Sequence, residues 1–99
     1  MLAERKVRMR LDPEHPVFRT HFPGMPRMPG SLVVQGFLDL LAEAGIPPAN
    51  LVLRRFRFRR FLTPGDYVYE IEPCGERRAV CRVRDGNAVA CEGVAEWPE

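Results

Sequence analysis

Apolar and charged side chains alternate near the start of the chain, with Val7, Met9 and Leu11 on one parity and Lys6, Arg8 and Arg10 on the other. A period of two is the pattern of a β-strand with one buried face, and Asp12-Pro13 ends it. From Asp12 to Pro29, five prolines and Gly24 preclude a regular helix and predict a long, stiff loop. A loop of that length in a small domain is usually functional. The period then changes. Leu32, Val33, Phe37, Leu38, Leu40 and Leu41 recur at helical spacing behind Ser31, a good N-cap, and Gly45 closes the segment ahead of Pro47-Pro48. This helix is apolar on more than one side, as a largely buried helix is.

Four strand-like stretches follow: Leu51 to Leu62, Tyr67 to Glu72, Arg77 to Arg84 and Ala88 to Trp97. Thr63-Pro64-Gly65-Asp66 and Glu72-Pro73-Cys74-Gly75 separate the first three, and Asp85-Gly86-Asn87 reads as a hairpin turn. No second helix is available for a parallel crossover. The expectation is therefore α+β: one domain over residues 1–99, with an antiparallel sheet in meander-like succession wrapped around one helix.

Composition narrows the class. At 99 residues a core is modest unless a second chain extends it, which favours an oligomer. The 45% hydrophobic and 28% charged contents are those of a globular chain, and no apolar run reaches the length of a membrane span. The stretch MLAERKVRMRL lacks the apolar core of a secretory signal, so a cytoplasmic location is expected. Cys74, Cys81 and Cys91 form no CxxC pair and leave an odd thiol, which predicts free cysteines with no disulfide framework, no metal and no cofactor held by them.

The net charge is only +2, yet five arginines fall within LRRFRFRRF, Leu53 to Phe61. Alternation places Phe56 and Phe58 toward a core and Arg55, Arg57 and Arg59 toward water. A solvated face is the plainest account. A docking surface for an acidic partner is the next, ahead of nucleic acid, which cationic and aromatic residues together can also bind.

His21 has the side chain whose unperturbed pKa lies nearest neutrality. Prolines and glycines restrict the backbone on both sides of it, and Gly30-Ser31 opens a helix whose first amides can meet developing negative charge. A base beside such a site is the beginning of a mechanism.

The string His21-Phe22-Pro23-Gly24-x-Pro26-x-Met28-Pro29-Gly30-x-Leu32 resembles the motif of the hot-dog 3-hydroxyacyl-acyl-carrier-protein dehydratases. Phe58-Arg59-Arg60 with Thr63-Pro64-Gly65-Asp66 is similar to their second recurring segment, and Pro13-Glu14-His15-Pro16-Val17-Phe18 fits the same superfamily. The resemblance implies a hot-dog fold, a homodimer or larger even assembly, and acyl-thioester sites in the interface. It implies that His21 removes the Cα proton, that an amide near Gly30 and Ser31 holds the thioester carbonyl, that Phe22 and Met28 contact substrate, and that no cofactor is needed. The implied partner is an acyl-carrier-protein or CoA thioester.

The family's acid falls fourteen residues after the histidine, where this chain has Gln35. Glutamine can hydrogen-bond but cannot supply a proton. Asp39 lies four residues on, on the same helical face and about 6 Å further along the axis, and in the family that later position is commonly glutamine, so acid and amide are exchanged. Thr20 also stands where the family usually has glycine, which restricts the backbone before His21. Three readings follow. The first is a dehydratase with Asp39 as acid and Gln35 as orienter. The second is a hot-dog thioesterase in which Asp39 activates water. The third is a non-catalytic acyl-binding subunit of a heteromeric dehydratase.

Overall fold

The computed structural model describes residues 2–11 and 30–98. It contains β1 (Arg5–Leu11), α1 (Gly30–Glu43), a short 3-10 turn (Pro48–Asn50), β2 (Val52–Phe58), β3 (Gly65–Pro73), β4 (Arg78–Asp85) and β5 (Ala88–Glu96). The five strands form one antiparallel sheet in the order β1-β3-β4-β5-β2, with α1 against one face, which is the hot-dog arrangement. The long proline-rich loop expected from Asp12 to Pro29 lies outside the described residues.

The meander holds for β3, β4 and β5. β2 departs from it, because it pairs with β5 at the sheet edge instead of with the strand that follows it. It is also shorter than the expected Leu51 to Leu62. Past Phe58 the backbone leaves the ladder, and the amides of Arg59 and Arg60 both turn to the carbonyl of Ala90 (2.8 and 3.4 Å).

One residue in β2 explains how its side chains are sorted. Leu53 pairs with Ala95 on the helix side, and Phe56 also lies on that side, although the two are three residues apart. The register shifts between Arg54 and Arg57, where Arg55 adopts φ +59°. This extra residue is a β-bulge, and it restores inward parity for Phe56 and Phe58. Phe56 then lies across Gly93 of β5, where an added Cβ would come within 2.5 Å of its ring.

The helix begins at Gly30, so Ser31 is its second residue and not the N-cap that the sequence suggested. Its end follows the expectation. Gly45 sits at φ +91°, its amide reaches the carbonyl of Ala42 (3.0 Å), and the amide of Ile46 reaches Leu41 (2.9 Å). These two bonds are a Schellman motif, which needs a residue tolerant of left-handed backbone at that point. Val33, Phe37, Leu40 and Leu41 are buried, while Leu32, Gln35 and Asp39 are exposed. In this chain the helix therefore buries one face and offers the other to solvent, less complete burial than its composition suggested.

Tyr67, Tyr69, Ile71, Ala79, Cys81, Val83, Cys91 and Ala95 cover the helix side of the sheet. The opposite side carries ion pairs. Arg82 spans Glu92 and Glu72 (both 2.8 Å), Arg84 and Lys6 meet Glu70, and Glu96 takes Arg54 and Arg78 (3.1 and 3.3 Å). Arg82 holds the Glu72 carboxyl below its ordinary range by hydrogen bonding and charge.

Candidate functional site

Gly30 opens α1 against the ring of Phe58, and a Cβ at Gly30 would lie 3.1 Å from that ring. Glycine is what permits this approach. Phe58 was expected in the core, but its ring is 48% exposed and walls the helix start, with Phe61 (66%) and Leu32 (36%) also exposed. The sequence signal for this wall was the Phe58-Arg59-Arg60 segment, which alternation alone assigned to packing. The first-turn amides of α1, including those of Gly30 and Ser31, have no acceptor within the helix and carry the positive end of its dipole.

One turn further along, Gln35 and Asp39 stand on the exposed side of α1 and touch. The Nε2 of Gln35 donates to Oδ1 of Asp39 at 2.9 Å. The spacing of four residues brings them together as neighbours on one helical face. The amide has one further N–H and its carbonyl oxygen, and Asp39 keeps Oδ2 unengaged by Gln35. The four-residue spacing that put both on one face thus brings the two groups into direct contact.

Beneath this face, Tyr69 of β3 inserts between helix and sheet. Its hydroxyl donates to the carbonyl of Val33 at 3.2 Å, and burial raises its pKa, so it remains a neutral donor. Phe37 meets Tyr69 at 4.9 Å and Phe56 at 5.6 Å between ring centroids. Sequence reasoning missed Tyr69, which carries no motif. The signal was its parity with Tyr67 and Ile71 on an alternating strand.

The arginines expected to face water do so. Arg55, Arg57 and Arg59 line a groove of about 350 Å³ on the sheet side away from α1, with Val80, Arg82, Glu92 and Val94. No carboxylate among the described residues pairs with the three. The sheet thus separates these arginines from the Gln35–Asp39 face.

His21, Phe22 and Met28 lie outside the described residues. Cys81 and Cys91 are buried free thiols, pushed by burial to about 12 and about 11, so neither is a nucleophile near neutrality. Cys74 is free and exposed. Among the described residues no helix is long and apolar enough to cross a membrane.

Comparison with known proteins places this geometry in a class. A family described as ApeI-like, ApeI dehydratase, matches residues 3–89. The chain belongs to this family of hot-dog dehydratases. It is similar to proteins named 3-hydroxyacyl-[acyl-carrier-protein] dehydratase FabZ. One, from Sodalis glossinidius, is 36% identical over 93 residues, covering 78% of this chain and 61% of the relative. Another, from Thermotoga neapolitana, is 33% identical over 87 residues, covering 82% and 58%. A third, from Neisseria meningitidis, is 35% identical over 86 residues, covering 76% and 56%. The chain therefore spans about three fifths of the length of these curated relatives.

Proposed function

We propose that this chain is a 3-hydroxyacyl-thioester dehydratase of fatty-acid synthesis, acting on acyl-carrier-protein substrates as a cytoplasmic homodimer or larger even assembly. The observation that carries this reading is the Gln35–Asp39 hydrogen bond, on the helix that directly follows the His21 to Gly30 motif in a member of a dehydratase family.

The reaction removes a Cα proton and a Cβ hydroxyl. His21 takes the proton as general base, and charge moves to the thioester carbonyl oxygen, opposite the first-turn amides at Gly30 and Ser31. The Cβ–O bond breaks, and the hydroxyl leaves as water with a proton supplied by Oδ2 of Asp39. Gln35 cannot supply that proton. It holds Oδ1, so that Oδ2 points away from the helix amide. Solvent then carries the proton from His21 back to Asp39, resetting the site. Phe22, Met28 and Phe58 flank the thioester and limit water. Arg55, Arg57 and Arg59 meet the acidic surface of the carrier, an interaction that weakens with salt.

A second reading draws on the same bond. An amide N–H aimed at Asp39 suits a carboxylate that accepts a proton from water, which is thioester hydrolysis. The two are separated with 3-hydroxybutyryl thioester. Enoyl absorbance that rises with no thiol released supports dehydration. Thiol release without enoyl product overturns it in favour of hydrolysis, and binding with neither product leaves an acyl-binding subunit.

A further inference from the structure

Residues directly opposite one another in an antiparallel sheet share a face. The register sets Lys6, Glu70, Arg82, Glu92 and Arg57 in one row across all five strands, on the side away from α1. The carboxylates in the middle of this face are engaged in ion pairs, with Glu70 held by Lys6 and Arg84, and Glu72 and Glu92 held by Arg82. The centre is thereby neutralised. The cations left without a carboxylate partner among the described residues lie at the two edges, Arg8 and Arg10 on β1 and Arg55, Arg57 and Arg59 along β2 and just past it. These edges are four strand spacings apart, about 19 Å. Each holds a groove of about 350 Å³, one walled by Arg8, Arg10 and Arg84, the other by the three β2 arginines.

The bulge in β2 adds to this charge. Strict alternation would send Arg54 and Arg55 to opposite sides, but with Arg55 at φ +59° both face outward, Arg54 on Glu96 and Arg55 into the groove. Backbone strain that re-aims a side chain is a mark of use. On the other side of the molecule the exposed positions of α1 carry Asp39 and Glu43, and the helix has neither lysine nor arginine. The described residues thus form a charge dipole, basic on the sheet and acidic on the helix.

We propose that the outer face of the sheet docks on an anionic lipid surface, with headgroup phosphates in the two edge grooves and α1 turned away from the bilayer. Cations divided between two edges match a field of separate phosphates, whereas a single small anion would need them to converge. Single-stranded nucleic acid stacks its bases on rings, and the β2 groove is lined by Val80 and Val94 between its arginines, with no aromatic side chain. Arginines near an anionic leaflet each raise affinity about fivefold, and salt weakens them. The inference is independent of turnover at α1. The carrier's acidic surface competes with the leaflet for the β2 edge alone.

Cosedimentation of the full chain with vesicles tests the proposal. Wild type is expected to bind mixed phosphatidylglycerol–phosphatidylcholine vesicles at least about tenfold more tightly than phosphatidylcholine vesicles, and to be released by salt. Arg8→Gln/Arg10→Gln and Arg57→Gln/Arg59→Gln, all at exposed positions, are each expected to lose at least about tenfold with an unchanged melting temperature. Glu43→Arg shifts the net charge by the same amount in the opposite sense but on the helix side, and is expected to gain less than about threefold. Equal binding to both kinds of vesicle overturns the proposal. So does full binding by either double variant, or a gain in Glu43→Arg as large as the loss in the others, which would make net charge the cause. An oligonucleotide, or the acidic carrier protein, that binds at physiological salt when anionic vesicles do not overturns it in favour of that partner.

Discussion

Arg55 occupies left-handed backbone at φ +59°, a conformation that costs a residue with a Cβ roughly 1–2 kcal/mol and glycine almost nothing. It is the only non-glycine residue among those described with positive φ, and it sits at the bulge that turns Phe56 inward. Arg55→Gly is therefore expected to stabilise the fold by up to about 1 kcal/mol, after the added entropy of a glycine in the unfolded chain is offset. Urea unfolding of the two proteins measures it. At this scale the sequence was partly legible. The relation of Gln35 to Asp39 followed from a spacing of four in a helix, and the structure joins them at 2.9 Å. The bulge was not legible, because alternation of Phe56 and Phe58 with arginines reads the same whether or not an extra residue precedes them. The partial exposure of Phe58 was equally hidden, since nothing in a strand pattern says that a helix start lies against its last ring.

The helix and β3 approach so closely because Gly36 carries no side chain. Gly36→Ala would put a methyl inside the Tyr69 ring, and neither the buried ring nor the hydroxyl bonded to Val33 has room to retreat. The overpacking cost is about 1–3 kcal/mol, which outweighs the gain of about 1 kcal/mol that alanine brings over glycine in a helix interior. A lowered melting temperature for Gly36→Ala, with Gly36→Ala/Tyr69→Val recovering part of the loss, tests the contact. The boundaries of elements were readable where local chemistry sets them: Gly45 ends α1, and Gly86-Asn87 joins β4 to β5. The partner of β2 was not. Strand order depends on contacts between distant segments, and consecutive hairpins were the default expectation until the helix side chains Phe37 and Leu41 had a sheet face to cover.

Across the whole molecule, the buried groups make stability depend on alkaline pH. Burial raises Cys81 from 9.0 to about 12 and Cys91 from 9.0 to about 11, and it raises Tyr69 as well. The folded state therefore keeps protons that the unfolded chain releases. Their contribution is fully present below about 9 and is lost as pH rises toward about 11 and about 12. Thermal midpoints measured along the alkaline limb are expected to fall, and Cys81→Ala to fall less steeply than wild type. The outer sheet face behaves differently. The pairs of Arg54 and Arg78 with Glu96 are half-exposed, and such pairs add little at physiological salt, while no carboxylate among the described residues pairs with Arg55, Arg57 or Arg59. That face was foreseen from the arginine run, whereas the close packing of helix on sheet depended on glycines at Gly36 and Gly93 whose purpose appears only once rings lie on them.

The central assignment is that Asp39 has taken over the acid role left open by Gln35. Hydration of crotonyl thioester, the reverse reaction, followed by loss of enoyl absorbance in wild type, His21→Ala, Asp39→Asn and Gln35→Glu, tests it most directly. Turnover in wild type that falls at least roughly 100-fold in both His21→Ala and Asp39→Asn is the expected result. Turnover that survives Asp39→Asn, or that is absent from wild type and arises only with Gln35→Glu, contradicts it.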